Sequence, residues 1–138
     1  MADVEVGGGR AHDVRVHVPA TPGYLQVLRT VAAGATARAG ANVDEVADIK
    51  LAVDEAAAWL LEDCPDASAV RLSLGRSGRS IEIVVGVRVE PHVEWPGAEF
   101  TNSLGWKVVS ALCDVAEPID YDEGPAIRLV RRLSEELG

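Results

Sequence analysis

One segment in the first half of the chain constrains the fold more than any other. Asn42 and Glu45 have the spacing of a capping box, in which each side chain satisfies a backbone N–H group at the start of a helix. Pro65 sets the other limit, because proline removes a backbone donor and cannot continue a helix. Between these limits apolar residues recur at helical spacing, at Ile49, Ala52, Val53, Ala56 and Leu60. The sequence therefore predicts an amphipathic helix over 43–63 with one buried face.

The remaining elements are two further helices and a set of strands. Thr21 followed by Pro22 predicts the cap and first residue of a helix over 22–39, and Asn102 or Ser103 is expected to cap a third helix that runs to about Asp114. Alternation of polar and apolar residues predicts strands over 13–18, 69–74 and 80–90, near 116–121 and over 125–132. The letters GRSG (75–78) indicate one hairpin turn, Gly124 marks another, and the two prolines in 91–102 indicate a loop.

This order of elements predicts an α+β fold, a two-layer sandwich with helices on one face of a mostly antiparallel sheet. The 138 residues suit one domain, which we expect over 13–138, after a flexible, glycine-rich leader over 1–12. The apolar patterns predict a core to which the following residues contribute: Val53, Ala56, Leu60, Val70, Leu72, Ile83, Val108, Leu112 and Leu129.

Composition excludes several classes of function. A formal net charge of −9 argues against a protein that coats nucleic-acid phosphates. The sequence has no apolar run long enough to span a membrane and no signal-peptide pattern at its start, so we expect a cytoplasmic protein. Cys64 and Cys113 lack metal-ligand spacing, and the three histidines are scattered, so no metal site is expected.

Two adjacent carboxylates interrupt the central helix. Asp54 is expected to point toward solvent near Lys50, which would give a weak surface ion pair. Glu55 falls at the border of the apolar face, where a desolvated carboxylate can serve as a base. The alternative for Glu55 is a solvated helix flank, and residue chemistry alone favours that alternative.

The segments EVADIKLAVDEAAAWLL (45–61) and SLGWKVVSALCD (103–114) together resemble the RsbW/SpoIIAB-type anti-sigma factors, serine kinases with a Bergerat (GHKL) ATPase fold. The resemblance covers roughly residues 13–133 and implies a HATPase-like sandwich. It assigns Glu55 to the family's catalytic base and Gly105 to the second glycine box near the phosphates. Trp59 stands at the position of the family's magnesium-binding Asn.

Several parts of the family's nucleotide site are changed in this sequence. Trp59 offers an indole N–H instead of an oxygen ligand for magnesium. The stretch VVGVRVEP (84–91) lacks the Asp that recognises adenine in the family, and Pro125 and Ala126 replace the family's terminal hydroxyl. No Lys or Arg lies between Pro91 and Asn102 to hold phosphates. We therefore expect neither ATP nor Mg²⁺ as a cofactor, a vestigial base at Glu55, and a packing role for Gly105.

The resemblance leaves three functions open. The first is an anti-sigma factor that sequesters an RNA polymerase sigma factor and is released by an anti-anti-sigma antagonist of the STAS type. The second is an active serine kinase that phosphorylates this antagonist with Mg–ATP, in which Glu55 would be the base. The third is a dimerisation module that keeps the fold without either activity.

The resemblance also implies where partners bind. Family anti-sigma factors use the first helix to hold sigma, which makes Arg29 the candidate contact and Tyr24, Gln26 and Arg38 the other candidates. For Arg29 a solvated helix face is an equal alternative. We further expect a homodimer, because the family pairs through its N-terminal region and because strand 13–18 would otherwise leave an open sheet edge.

Overall fold

The central helix has the predicted limits. The computed structural model describes residues 3–6, 14–90, 95, 103–121 and 124–134. In it, helix α2 runs from Val43 to Asp63. The Asn42 side chain accepts a hydrogen bond from the Glu45 backbone at 2.8 Å, and the Glu45 side chain accepts one from the Asn42 backbone at 2.9 Å. The capping box is confirmed, and Ile49, Ala52, Val53, Ala56 and Leu60 are all buried.

The other described elements complete a two-layer α+β sandwich. The strands are β1 (Asp3–Val6), β2 (Val14–Pro19), β3 (Ala69–Ser77), β4 (Ser80–Arg88), β5 (Val115–Tyr121) and β6 (Gly124–Arg132), and the further helices are α1 (Pro22–Arg38) and α3 (Leu104–Leu112). The strands form one sheet in the order β1-β2-β3-β4-β6-β5, and each of these pairings is antiparallel.

The strand register places the core between the sheet and the helices. Leu72 pairs with Val16 on one side and with Val85 on the other, and Val85 pairs with Ile127. These four side chains form a row across the four central strands, and each is at most 2% exposed. The helices α1 and α2 cover this row, and their largest fully buried side chains are Leu28, Ile49 and Leu60. The predicted fold class is therefore confirmed.

The expectation of a flexible leader is wrong for Asp3–Val6. These residues pair antiparallel with β2, from Asp3 opposite His17 to Val6 opposite Val14. A four-residue strand forms here because β2 offers a row of unpaired N–H and C=O groups and the letters DVEV alternate as a strand requires. The open edge that we expected at 13–18 is thus covered by the chain itself, so it gives no reason for dimerisation.

Local details also differ from the expectations. Ser77 pairs with Ser80, so the hairpin turn consists of Gly78 (φ +60°) and Arg79, and Gly75 lies inside β3. Helix α3 begins after Ser103, whose hydroxyl accepts a hydrogen bond from Trp106, and it ends at Leu112 instead of Asp114. At the start of α1, Pro22 has its predicted place, but the Thr21 side chain makes no cap hydrogen bond.

The predicted core is correct with one exception. Val53, Ala56, Leu60, Val70, Leu72, Ile83 and Leu129 are buried, and Leu112 is half-buried against the core. The prediction for Val108 is wrong, because Val108 is only half-buried, whereas its neighbour Val109 is 2% exposed. The buried line of α3 follows Trp106, Val109 and Leu112, which are three residues apart. Within the described ranges, no helix combines the length and apolar character that a membrane crossing requires.

Candidate functional site

A cavity of about 330 Å³ opens between the second half of α2 and the start of α3. Its lining residues are Glu55, Ala58, Trp59, Glu62, Asp63, Ser103, Leu104 and Gly105. The fold thus brings together three residues that the family resemblance selected, Glu55, Trp59 and Gly105. The other lining residues were not selected from the sequence, although Ala58 and Glu62 follow Glu55 on the same side of the helix at spacings of three and seven.

Trp59 and Gly105 are in close contact. A Cβ atom built on Gly105 would lie 3.0 Å from Cε3 of Trp59 and 3.6 Å from Oε2 of Glu55. The missing side chain of Gly105 therefore lets the indole approach the backbone of α3 and lie beside the Glu55 carboxylate. Trp59 is half-buried and packs against the core, so its ring forms a fixed wall of the cavity.

The cavity is lined by negative charge. Glu55, Glu62 and Asp63 are carboxylates, and none of the lining residues in the described part of the chain is a Lys, Arg or His. Glu62 and Asp63 also lie in the last turn of α2, where the helix carbonyls already carry a partial negative charge and no basic residue compensates. The start of α3 contributes backbone N–H groups, and the Ser103 hydroxyl already accepts the one from Trp106.

These residues do not fit a magnesium nucleotide. Phosphates would face three carboxylates, and no Lys, Arg or His among the described lining residues would offset their charge. Magnesium prefers oxygen ligands in octahedral geometry, and the indole of Trp59 supplies none. Among the described residues there is also no group of three or more His, Cys, Asp or Glu side chains that could hold a metal ion.

The two strand segments in which the sequence lacks the family's adenine-binding residues, one in β4 and one in β6, make packing contacts with other parts of the protein. Gly86 faces the side of the sheet away from the helices, and a Cβ atom there would lie 3.2 Å from both the Arg71 guanidinium and Cβ of Ala126. Gly86 thus makes room for Arg71 on the outer face and is not part of the cavity. At the start of β6, Pro125 and Ala126 are both buried.

Trp95 is a residue that the sequence reasoning missed. Its side chain is 8% exposed, belongs to the core, and donates its indole N–H to the Ala126 carbonyl oxygen at 3.2 Å. This hydrogen bond holds Trp95 at Pro125 and Ala126, which were predicted to replace the family's terminal hydroxyl. The only available signal was an isolated tryptophan in a segment with two prolines, which we interpreted as a loop. Apart from Trp95, the segment 91–102 lies outside the described residues. The prediction that this segment offers no cation to a phosphate therefore concerns residues that the structure does not describe.

Arg29 has a partner within the protein. Its Nε donates to Oδ1 of Asp54 at 2.7 Å, which ties α1 to α2. The expected pairing of Asp54 with Lys50 is therefore wrong, because the neighbouring helix brings a guanidinium with a planar donor set within reach. Arg29 remains 37% exposed, so one side of it still faces solvent.

The four first-helix candidates do not all lie on one surface. Tyr24, Gln26 and Arg38 are all exposed. At roughly 100° per residue, Tyr24 and Arg38 lie on one flank of α1, about 21 Å apart along its axis, whereas Gln26 and Arg29 lie on the other side. A partner that contacts all four would therefore have to reach both flanks of the exposed side of α1.

The fold is a two-layer α+β sandwich, with the helical layer over one antiparallel sheet. Among solved structures, the chain is similar to the crystal structure of the RsbU and RsbW domains of Rv1364c from Mycobacterium tuberculosis, with a TM-score of 0.66 and 20% sequence identity. The match covers 88% of this chain and 33% of that one. At this identity the similarity establishes the fold. No protein-family model and no curated protein sequence matches the chain.

Proposed function

We propose that the protein is a partner-switching regulator: an anti-sigma factor that sequesters an RNA polymerase sigma factor and is released by a STAS-type antagonist. The observation that supports the proposal is an RsbW-like fold with a cavity whose described lining holds three carboxylates and an indole but no Lys, Arg or His. Such a lining disfavours Mg–ATP, and protein binding is then the function that the fold supports best. We further propose that no nucleotide or metal cofactor is bound.

Protein binding would use exposed groups of α1. Tyr24 and Arg38 share one flank and are exposed, which makes them the better pair for a flat contact. Arg29 lies on the other side of α1, so the part of its guanidinium that Asp54 does not cover would contact a second segment of the partner. The acidic net charge favours association with a basic surface of the partner. A twofold homodimer, which the family resemblance implies, remains part of the proposal and is tested by sedimentation at high micromolar concentration.

Co-purification tests the proposal. The tagged chain is expressed in its native host, captured proteins are identified by mass spectrometry, and any sigma factor found is purified and titrated against the chain by calorimetry. We expect a sigma factor that binds in saturable fashion, and a loss of affinity in Tyr24→Ala and Arg38→Ala, with exposed Thr30→Ala as the matched control on α1. If no sigma factor is captured, or if the purified factor does not bind, the proposal is wrong.

An active serine kinase is the second candidate. It is favoured by one observation, the position of Glu55 in the cavity wall, where a base would be required. Phosphate transfer from ATP to an antagonist protein, absent in Glu55→Gln, would establish it. The third possibility, a dimerisation module alone, would give a dimer that captures neither a sigma factor nor an antagonist.

A further inference from the structure

We propose that the cavity between α2 and α3 receives a basic side chain, an arginine or lysine carried by a segment of a partner protein. The inference rests on the proposed function in one respect, that the ligand is a protein. Its basis is the chemistry of the wall: three carboxylates, one indole and one exposed leucine, with no cationic side chain. A cavity of about 330 Å³ is at the small end of ligand sites and suits a single long side chain.

The three carboxylates are available to a cation from outside the chain. The ion pairs within the described ranges join Arg29 to Asp54, Arg128 to Glu82 and Glu117, and Arg131 to Asp48. None of these pairs uses Glu55, Glu62 or Asp63. Within the described ranges these three carboxylates thus have no cationic partner, and a guanidinium or ammonium group from outside would form charge-assisted hydrogen bonds with them.

The helix end strengthens this preference. Glu62 and Asp63 occupy the last turn of α2, where the helix dipole favours cations and disfavours carboxylates. A basic group bound between them would compensate both the side chains and the unpaired carbonyls of the helix end. The same corner repels an anion, which separates this cavity from a phosphate site.

The apolar part of the wall identifies the source of the cation. Arginine and lysine have long apolar stems, which pack on aromatic and aliphatic surfaces while their charged ends reach polar groups. Trp59 provides such a surface inside the cavity, and Leu104 stands on its rim with 77% of its side chain exposed. A free small cation would leave Leu104 in water, whereas a protein segment with an apolar residue beside its basic one would cover it.

The test is an NMR titration of the whole chain with short capped peptides. The probes are acetyl-Leu-Arg-Leu-amide, its neutral analogue acetyl-Leu-Gln-Leu-amide, and spermidine as a free cation. The signal is the indole N–H of Trp59, assigned by its disappearance in Trp59→Phe. The binding variant is the triple change Glu55→Gln, Glu62→Gln and Asp63→Asn.

A matched control removes the same number of charges elsewhere, at exposed Asp44, Asp66 and Glu90. Thermal unfolding of both triple variants verifies that each is folded. We expect the arginine peptide to shift the Trp59 signal in saturable fashion. Its Kd should rise by about tenfold or more in the cavity variant and stay unchanged in the control.

Three results would overturn the inference: no saturable shift with the arginine peptide, equal binding of the glutamine peptide, or equal binding by the cavity variant. Spermidine binding as tight as the peptide would overturn the assignment to a protein segment. The cavity variant is also titrated with the sigma factor obtained by co-purification. If sigma binds the variant and the unmodified chain equally, the inference fails while the proposed function stands.

Discussion

Replacing Gly105 by Ala should destabilise the protein, although alanine is the better helix former. In an unobstructed helix, Gly→Ala stabilises by up to about 1 kcal/mol. At position 105 the new Cβ would lie 3.0 Å from Cε3 of Trp59, so the indole, which packs against the core, would have to shift by a few tenths of an ångström. Overpacking of this kind costs about 1–3 kcal/mol. The net expectation is a loss of about 1 kcal/mol, or a fall in Tm of roughly 3–5 °C for a chain of this size.

The measurement is urea unfolding followed by circular dichroism, with two controls. Gly34 also lies in a helix, and a Cβ there would have no heavy atom within 4 Å, so Gly34→Ala should stabilise by about 0.5–1 kcal/mol. In a Trp59→Leu background, the obstruction is removed and Gly105→Ala should also become stabilising. If Gly105→Ala stabilises the unmodified protein as much as Gly34→Ala does, the close contact between Trp59 and Gly105 is wrong.

Three further predictions concern groups outside the cavity. The hydroxyl of fully buried Thr36 has no hydrogen-bond partner in the described part of the chain, so Thr36→Val should stabilise by about 0.5–1 kcal/mol, and a loss in urea unfolding would contradict this. A double-mutant cycle on Arg29 and Asp54 should give a coupling of at most about 1 kcal/mol that weakens in high salt, because both side chains are about one-third exposed; a salt-independent coupling would contradict the surface character of the pair. Burial raises the pKa of the Cys113 thiol from 9.0 to about 11, so the native thiol should react slowly with a disulfide reagent at neutral pH and quickly after unfolding. Because the folded pKa is the higher one, the stability contributed by this thiol is complete below pH 9 and is lost as the pH rises toward 11; rapid native labelling at neutral pH would contradict the burial.

The elements that could be predicted are those whose signals are local. Helix α2 carries its own cap, its own terminating proline and a regular apolar face, so its limits follow from residues 42–65 alone. Helix α3 shows where such reasoning fails. Val108 and Val109 are adjacent and equally apolar, and only the position of the helix against α2 and the sheet decides which one is buried.

Features that depend on distant parts of the chain could not be predicted. Strand β1 forms because β2 presents an edge with which it can pair. The four residues Asp3–Val6 do not by themselves indicate that such an edge is available. The pairing of Asp54 with Arg29 instead of Lys50 depends on how α1 lies on α2. In the candidate site, Glu55, Trp59 and Gly105 were selected through a family resemblance. The Trp95 contact with Ala126 joins residues 31 positions apart and had no local signal.

The proposal that the protein binds no nucleotide is tested most directly by thermal unfolding of the unmodified protein with and without millimolar Mg–ATP. A ligand at a hundred times its Kd stabilises a fold by about 2.7 kcal/mol, which corresponds to a rise in Tm of roughly 8–12 °C for this chain length. We expect no rise, and none in Trp59→Asn either, because the carboxylates of the cavity and the packing at Ala126 remain in that variant. A clear, saturable rise in Tm of the unmodified protein with Mg–ATP would contradict the claim that the protein binds partner proteins but no nucleotide. The serine kinase would then be the better proposal.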